Sequence, residues 1–253
     1  MAESKSSVIQ SEIEAFNKYA ADWWNPNGMI KLLHQMIPAI RIPLMKSGLT
    51  DAGLVKEENK GKSNMFEGIK ILDVGSGGGL MAEPMALMGA QVTGVDPTQK
   101  LVDVANEHIK IHENLKVEYI CDTVENISAN NKEKFDAVTF FDVAEHVSDV
   151  RQVLKASVEC LKPGGRIFIT TWNKTFMGWF YGIFLLEYVF GIVPRGAHDI
   201  KLFISPEKIT EYLEEFNCKT LEVRGTWYSL WKRDWSFTSY TGVFYAMQAV
   251  KEK

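Results

Sequence analysis

Short apolar runs alternate with segments of helical periodicity through the middle of the chain. Five runs have the length of buried strands, and they span residues 69–74, 91–95, 116–121, 135–141 and 166–172. Between them, apolar positions recur at helical spacing in residues 80–87, 98–113 and 150–161. Strands that alternate with helices build a mostly parallel sheet with helices on both faces. This pattern predicts a Rossmann-like α/β fold.

The segments around these strands divide the chain into four parts, although we predict a single domain over residues 1–253. The parts are an N-terminal helical arm at 8–45, a cofactor-binding core at 66–172, a hydrophobic insertion at 173–204 and a C-terminal part at 205–253. Polar and charged residues at 50–64 indicate a loop before the core. In the C-terminal part, Ser205 is suited to cap a helix, and two strands follow near 219–228 and 242–250.

Residues 176–193 of the insertion are strongly apolar, and Glu187 is their only charge. The length is at the short end for a membrane span, and three glycines interrupt the segment. A span at this point would also separate the core from its last strands. The segment therefore either covers an apolar substrate, lies on a bilayer surface or does both, or it is an ordinary buried helix.

Composition narrows the compartment and the partners. A net charge of −4 and a pI near 5.8 give no electrostatic reason to expect a nucleic-acid partner. Cys121, Cys160 and Cys218 lack the spacing of a metal or redox motif, which indicates buried thiols in a reducing compartment. The first ten residues contain no apolar core and no arginine, so we expect neither a signal peptide nor an intact transit peptide.

The candidate chemistry centres on a glycine-rich turn between the first two strands. Glycines at 75, 77, 78 and 79 follow Asp73-Val74, and they would bring bare backbone N–H groups of Gly75 and Gly77 against a ligand. Asp96 ends the second strand, where its carboxylate can accept hydrogen bonds from both hydroxyls of a ribose. The dinucleotide spacing G-x-G-x-x-G is absent. The form D-V-G-x-G-x-G instead resembles motif I of the class I S-adenosylmethionine-dependent methyltransferases, with NAD as the alternative ligand.

Two further residues could contact such a cofactor. Asp122 follows the third strand at the edge where doubly wound sheets bind ligands, so it could meet the adenine, or it is merely solvated. Arg41 in the arm offers a planar fork that suits a carboxylate such as a methionine tail, although an exposed arginine would have the same signature. The arm itself is either a lid over the cofactor site or an amphipathic element packed on the domain.

A second cluster of polar side chains directly follows the fourth strand. Asp142, Glu145 and His146 are spaced i, i+3 and i+4, so on a helical turn all three would face one way. Oxygen-rich ligation of this kind suits Mg²⁺. Alternatively His146 is a general base that the two acids orient, or the acids complement the N-terminus of a helix.

The motifs together resemble one family over most of the chain. They are Trp23-Trp24, Leu33-His34, the glycine turn, GVDP at 94–97, EHV at 145–147, LKPGG at 161–165 and the block at 193–207. In these positions the chain resembles the ubiquinone biosynthesis O-methyltransferases, which methylate hydroxyls of polyprenylated catechol and demethyl-quinol intermediates. The resemblance implies a class I methyltransferase fold, with a seven-stranded, mostly parallel sheet whose last strand is reversed.

The resemblance also assigns roles to individual residues. It implies that S-adenosylmethionine contacts the chain at Arg41, Gly75, Asp96 and Phe141. It implies that Mg²⁺, bridging two catechol oxygens, is held by Asp142, Glu145 and His146. Asp142 departs from the family pattern E-x-x-E-H, because it is one methylene shorter than the glutamate found there.

The expected partners and location follow from the resemblance as well. The partners would be a polyprenylated catechol or quinol, a membrane surface and a complex of ubiquinone biosynthesis proteins. In a eukaryote the protein would lie peripherally on the matrix side of the mitochondrial inner membrane; in a bacterium it would be cytoplasmic and membrane-associated. Two alternatives are a non-catalytic methyltransferase-fold subunit of a biosynthetic complex and an NAD(P)-dependent oxidoreductase.

Overall fold

A central eight-stranded sheet organises the computed structural model of the chain. The structure describes residues 6–112, 114–191, 195, 196, 198–229 and 231–252. The strands are β1 Lys70–Val74, β2 Gln91–Asp96, β3 Val117–Cys121, β4 Phe135–Phe141, β5 Leu161–Trp172, β6 Cys218–Ser229, β7 Asp234–Thr238 and β8 Phe244–Lys251. Their order across the sheet is β3-β2-β1-β4-β5-β8-β6-β7. The predicted Rossmann-like class is confirmed.

The first five strands form the parallel part of the sheet. Parallel pairs join β1 to β2 and β4, β2 to β3, and β4 to β5. The helices between them are α4 Ala82–Leu87, α5 Gln99–His108, α6 Val124–Ser128 and α7 Val150–Cys160. Parallel strands joined in this way place all their carboxyl ends at one edge of the sheet. The order in which the strands follow one another changes direction between β1 and β4, and ligands bind at such a point. A ligand site is therefore expected above that edge.

The last three strands are antiparallel. β8 runs against β5 over residues 244–250, which confirms the predicted reversed strand. β6 pairs with β8, and β7 pairs with β6 at the sheet edge. The sequence predicted seven strands and missed β7, a five-residue strand in which Trp235 and Phe237 are only half-buried. Such a short strand exists because β6 extends to Ser229 and offers it a partner.

Two layers of apolar side chains hold the helices on the sheet. One layer contains Ile71, Phe168 and the arm residues Ile40, Met45 and Leu49. The other contains Leu72, Phe140, Leu154, Ile209 and Tyr245, with helix α9 Pro206–Glu215 on that side. The predicted cap of α9 is confirmed, since Ser205 Oγ accepts a hydrogen bond from the Lys208 N–H at 3.3 Å.

The predicted N-terminal helical arm contains three α-helices. They are α1 Gln10–Tyr19, α2 Lys31–Met36 and α3 Ile42–Asp51, and a π-helical segment, Ile37–Arg41, joins the last two. Helix α3 continues into the start of the predicted loop at 50–64, because Leu44, Met45 and Leu49 bury its apolar face. The arm is also tied to the loop between β4 and α7, since the Ser148 N–H donates to the Ser7 carbonyl at 2.9 Å.

The hydrophobic insertion is helical. Helix α8 Phe176–Trp179 continues as a π-helix, Phe180–Val189. Among the described residues, no helix combines the length and apolar character that crossing a bilayer requires. The predicted segment ended at Val193, and the predicted helix at 98–113 ended at Glu113; both positions lie outside the described residues.

Candidate active site

The glycine-rich turn after β1 adopts a shape that other residues resist. Gly75 and Gly77 have φ values of +68° and +53°, in the left-handed region that glycine tolerates. A Cβ on Gly77 would stand 2.5 Å from the ring of Trp23, and one on Gly78 would stand 2.4 Å from it. The Trp24 indole N–H also donates to the Gly78 carbonyl at 2.9 Å. The two tryptophans thus seat the arm directly on the turn, and only bare backbone leaves room for them.

A cavity of about 310 Å³ lies above the carboxyl ends of the strands. The glycine turn and the ends of β1, β2 and β4 form its floor, and α1 and the apolar insertion close it. Residues that line it include Arg41, Asp73, Gly75, Gly77, Asp96, Phe141, Asp142 and His146. The arm therefore covers the site, and it also packs on the core of the domain, so the structure is compatible with both interpretations of the arm.

Asp96 lies in the cavity wall and is held by backbone donors. One carboxylate oxygen accepts from the Gly77 N–H at 2.9 Å, and the other accepts from the Thr98 N–H at 2.8 Å. Burial raises the pKa of this carboxyl, and these two bonds oppose the rise. A carboxylate offers about four lone-pair sites, so both oxygens can still accept a ribose hydroxyl.

Arg41 and Asp73 bring further polar groups to the same wall. Arg41 is 3% exposed, its guanidinium pairs with Asp142, and its Cζ atom stands 5.0 Å from the centroid of the Phe141 ring. Asp73 accepts from the Thr139 hydroxyl at 2.6 Å with one oxygen. Burial raises the pKa of Asp73 to about 7, against the opposing effects of Thr139 and the charge of Arg41. Asp73 was not among the site residues predicted from the sequence, although its place at the end of β1 was a usable signal.

Several buried polar atoms in this wall have no partner in the described part of the chain. They are the Arg41 Nε, the second oxygen of Asp73, the Ser76 Oγ and the Trp23 Nε1. An unsatisfied buried donor or acceptor costs about 1–3 kcal/mol, so such groups are expected to meet a ligand or water. A cation beside Asp73, a carboxylate beside Arg41 and a diol beside Asp96 match an amino-acid tail and a ribose. The residues present therefore fit S-adenosylmethionine.

Asp122 does not join this group. It is absent from the cavity lining, and its carboxylate accepts from the Thr123 N–H and the Asn126 amide, each at 2.7 Å. Its place after β3 was the reason for predicting an adenine contact. The start of helix α6 instead turns the side chain toward its own backbone, a common behaviour of aspartate at a helix N-terminus.

The predicted metal cluster does not form as its spacing suggested. Asp142 has a φ of +55° and precedes the short 3₁₀ turn Ala144–His146, so the three residues do not share a helical face. Asp142 accepts from the Thr170 hydroxyl at 2.8 Å besides pairing with Arg41. Glu145 is 2% exposed and accepts from the Thr171 hydroxyl at 2.7 Å. Within the described part of the chain, no three His, Cys, Asp or Glu side chains are arranged to hold a metal ion.

His146 points into the cavity and has a different acid partner from those predicted. Its Nδ1 is 2.8 Å from a carboxylate oxygen of Glu12, on helix α1 of the arm. Burial alone would lower the pKa of His146, but the bond to Glu12 and the nearby charges of Glu145 and Asp142 outweigh it and raise the pKa. Phe16 packs edge-on against the imidazole, with ring centroids 5.0 Å apart. The arm therefore supplies both the cover of the cavity and the residue that orients His146.

Known proteins resemble this chain in sequence. Residues 72–169 match the sequence model of a family described as "Methyltransferase domain". The chain is 35% identical to the ubiquinone biosynthesis O-methyltransferase of Bartonella tribocorum over 98% of each chain. It is 34% identical to the mitochondrial ubiquinone biosynthesis O-methyltransferase of Rattus norvegicus, over 99% of this chain and 72% of that protein.

A solved structure shares the fold at low sequence identity. The magnesium protoporphyrin IX methyltransferase of Synechocystis, with S-adenosylhomocysteine bound, has a TM-score of 0.65 at 17% identity. The match covers 96% of this chain and 99% of that one. At this identity the likeness shows the fold alone.

Proposed function

The chain belongs to the ubiquinone biosynthesis O-methyltransferase family and is an S-adenosylmethionine-dependent O-methyltransferase, and we propose that its acceptor is a catechol or quinol hydroxyl on a polyprenylated aromatic ring. Family membership decides between the two nucleoside cofactors in favour of S-adenosylmethionine over NAD. It also disfavours the non-catalytic subunit that the sequence left open. The acceptor is supported by the chemistry of the cavity beside the cofactor-facing wall.

The residues that would hold the cofactor divide by chemistry. Asp96 would bind the ribose, Arg41 the carboxylate and Asp73 the ammonium group of the methionine tail, with Gly75 and Gly77 leaving room for it. When bound, S-adenosylmethionine supplies an electrophilic methyl group, which the acceptor oxygen takes as the S–C bond breaks, its electron pair remaining on sulfur. The protein's task is to hold the acceptor in line and to remove its proton.

The pair formed by His146 and Glu12 is the observation that carries the proposed reaction. Because a carboxylate only accepts hydrogen bonds, the Nδ1–H of His146 donates to Glu12 and leaves Nε2 as the basic atom. A positioned base of this kind contributes typically 10²–10⁴-fold to rate. His146 would take the acceptor hydroxyl proton, and Glu12 would stabilise the imidazolium that results.

Magnesium has no place in this proposal. The residue types fit Mg²⁺, but their orientation does not, since Glu145 is turned to Thr171 and Asp142 to Arg41. We therefore derive no step through a metal. In the described geometry the shorter Asp142 serves to orient the arginine that faces the cofactor.

The apolar insertion supports a polyprenylated acceptor and contact with a bilayer. Its inner face closes the cavity through Leu186, while Gly182 packs against Trp172. Its outer face leaves large apolar side chains in solvent, and Phe176 is 70% exposed. The others are Phe184, Tyr188, Val189 and Phe190. One segment would thus cover the acceptor ring and lie on the membrane that holds the tail.

Location follows from these partners and from the relatives. A peripheral position on the membrane that holds ubiquinone intermediates is what we propose: the matrix side of the mitochondrial inner membrane in a eukaryote, or the cytoplasmic side in a bacterium. The rat relative, which is a mitochondrial protein by name, supports the mitochondrial case. Association with other ubiquinone biosynthesis proteins belongs to the same proposal, because a nearly insoluble intermediate has to pass between enzymes.

A methylation assay on a catechol with a short prenyl tail tests the reaction. We expect wild-type turnover, a loss of about 10²-fold or more in His146→Ala, and a smaller loss in Glu12→Gln. Glu14→Gln is the matched control, because Glu14 lies on the same helix but is exposed. All variants should bind S-adenosylmethionine as the wild type does. Equal rates for Glu12→Gln and Glu14→Gln would contradict the role of the His146–Glu12 pair.

A further inference from the structure

A second imidazole lines the same cavity and has no role in the reaction described so far. His198 lies in the insertion, beyond its helical part, and its ring lies edge-on to Trp172 and Phe203, with centroid distances of 5.6 and 6.1 Å. Its ring centroid is 6.2 Å from that of His146. The two imidazoles therefore reach the cavity from different elements, one after β4 and the other from the insertion beyond its helical part.

The His198 ring is held by Glu187, the only charged residue of the apolar segment. The Glu187 carboxylate is 3.0 Å from the His198 Nδ1, and it also accepts from the backbone N–H groups of His198 at 3.0 Å and Gly196 at 2.6 Å. Glu187 is 2% exposed. A buried carboxylate is costly unless donors surround it, and the donors among the described residues belong to the loop that carries His198. The arrangement fixes the direction of this imidazole.

The two histidines have the same bonding pattern. In each, Nδ1 faces a carboxylate, Glu12 for His146 and Glu187 for His198, so Nδ1–H donates and Nε2 is left as an acceptor. In the described part of the chain, no hydrogen bond occupies Nε2 of either ring. Both residues line one cavity. Their ring centroids are 6.2 Å apart, near enough for adjacent oxygens of one ligand to reach both rings.

We propose that His198 is an acceptor-binding residue that recognises the second hydroxyl of an aromatic vicinal diol, and that Glu187 is its positioning residue. The inference rests on the proposed function, in which His146 takes the proton of the hydroxyl that is methylated. The neighbouring hydroxyl keeps its proton and donates a hydrogen bond to the Nε2 of His198. The diol is thus oriented at two points, which presents one oxygen and not the other to the methyl donor.

This pairing predicts a specificity that a single base would not give. A site built to hydrogen-bond a substrate hydroxyl rejects an analogue that lacks it, because the buried acceptor is then left without a partner. The enzyme should therefore favour a catechol over the matched ring with one hydroxyl. The apolar segment also becomes part of the selectivity, since its one charge holds the ring that reads the second oxygen.

Binding calorimetry on the complex with S-adenosylhomocysteine, in which no methyl group can be transferred, tests this directly. The ligands are a short-tail catechol and its monohydroxy analogue. We expect wild-type enzyme to bind the catechol at least tenfold more tightly. His198→Ala should weaken catechol binding to the level of the analogue and leave analogue binding within about threefold. Glu187→Gln should reduce the catechol advantage in the same direction, again without changing the analogue.

Two further variants guard against loss of folding. The double variant His198→Leu/Glu187→Gln removes the hydroxyl acceptor and the buried charge together, and it should show the same loss of discrimination with unchanged S-adenosylhomocysteine affinity. His112→Ala, a histidine outside the cavity, should retain wild-type discrimination. Equal weakening of both ligands by His198→Ala would assign His198 to the cavity wall and overturn the proposal, as would unchanged discrimination. If the wild type neither binds nor methylates the catechol, the proposed function itself fails instead.

Discussion

Replacement of Asp96 by alanine tests the assignment of the cofactor wall most directly. In the structure its two oxygens accept from the Gly77 and Thr98 N–H groups, the residue lines the cavity, and each oxygen has a second lone pair that can accept a hydroxyl. Two ribose hydroxyls bound there form hydrogen bonds to a charged group, worth about 1.5–3 kcal/mol each. Because neighbouring bonds are not additive, we expect a loss of about 2–4 kcal/mol in binding free energy.

The expected loss corresponds to a rise of roughly 30- to 700-fold in the dissociation constant of S-adenosylmethionine. Titration calorimetry measures it at a temperature where the variant is folded, because the Gly77 and Thr98 N–H groups also lose their acceptor. We therefore also expect a lower melting temperature, because each donor that water does not reach lowers the free energy of unfolding by about 1–3 kcal/mol.

Asp122→Ala is the matched control for Asp96→Ala. It removes the same charge at the end of the neighbouring strand, but the Asp122 side chain lies outside the cavity lining. We expect its affinity for S-adenosylmethionine to stay within twofold of wild type. Affinity within threefold of wild type in Asp96→Ala would refute the ribose assignment. A large loss in Asp122→Ala would restore the adenine contact that the sequence suggested.

Three more predictions follow from other parts of the molecule. Burial raises the pKa of Asp73 to about 7, so the folded apoprotein binds more protons there than the unfolded chain, and stability falls as the pH rises from about 4 to about 7. The free energy of unfolding should fall by at most roughly 4 kcal/mol over this pH range. Thermal denaturation of the cofactor-free protein measures this fall, which should be smaller in Asp73→Asn. For the metal, we expect EDTA to lower the methylation rate less than twofold, because the carboxylates of Asp142 and Glu145 bind Arg41 and Thr171. If EDTA abolishes turnover and Mg²⁺ restores it, these carboxylates turn toward the acceptor when it binds. For the membrane, the wild type should float with neutral phosphatidylcholine vesicles, and this binding should survive high salt. Binding should fall in Phe176→Glu/Phe184→Glu but not in the control Leu87→Glu, which changes another exposed apolar residue. A wild type that never floats would mean that the apolar segment is only a wall of the cavity.

The sequence by itself determined the parts of the protein that depend on local pattern. The alternation of strand and helix patterns predicted the parallel half of the sheet. The pattern of apolar residues that indicates a strand or a helix is set by residues close together in the chain, so it can be recognised without the fold. The glycine turn and Asp96 were also readable, because they belong to one βαβ unit and meet across only a short stretch of chain, as in the bond from the Gly77 N–H. Even Glu187 gave a signal, as a lone charge in an apolar segment.

Tertiary structure alone decided which residues from distant parts of the chain meet in the site. The acid beside His146 is Glu12, 134 residues away, and the partner of Asp142 is Arg41, 101 residues away. The spacing at 142–146 suggested a shared helical face, but the positive φ of Asp142 breaks that face before the turn begins. Spacing predicts a common direction only where the backbone is regular. At the carboxyl ends of strands the chain bends, and each polar group takes the partner that packing of the arm and the insertion brings to it.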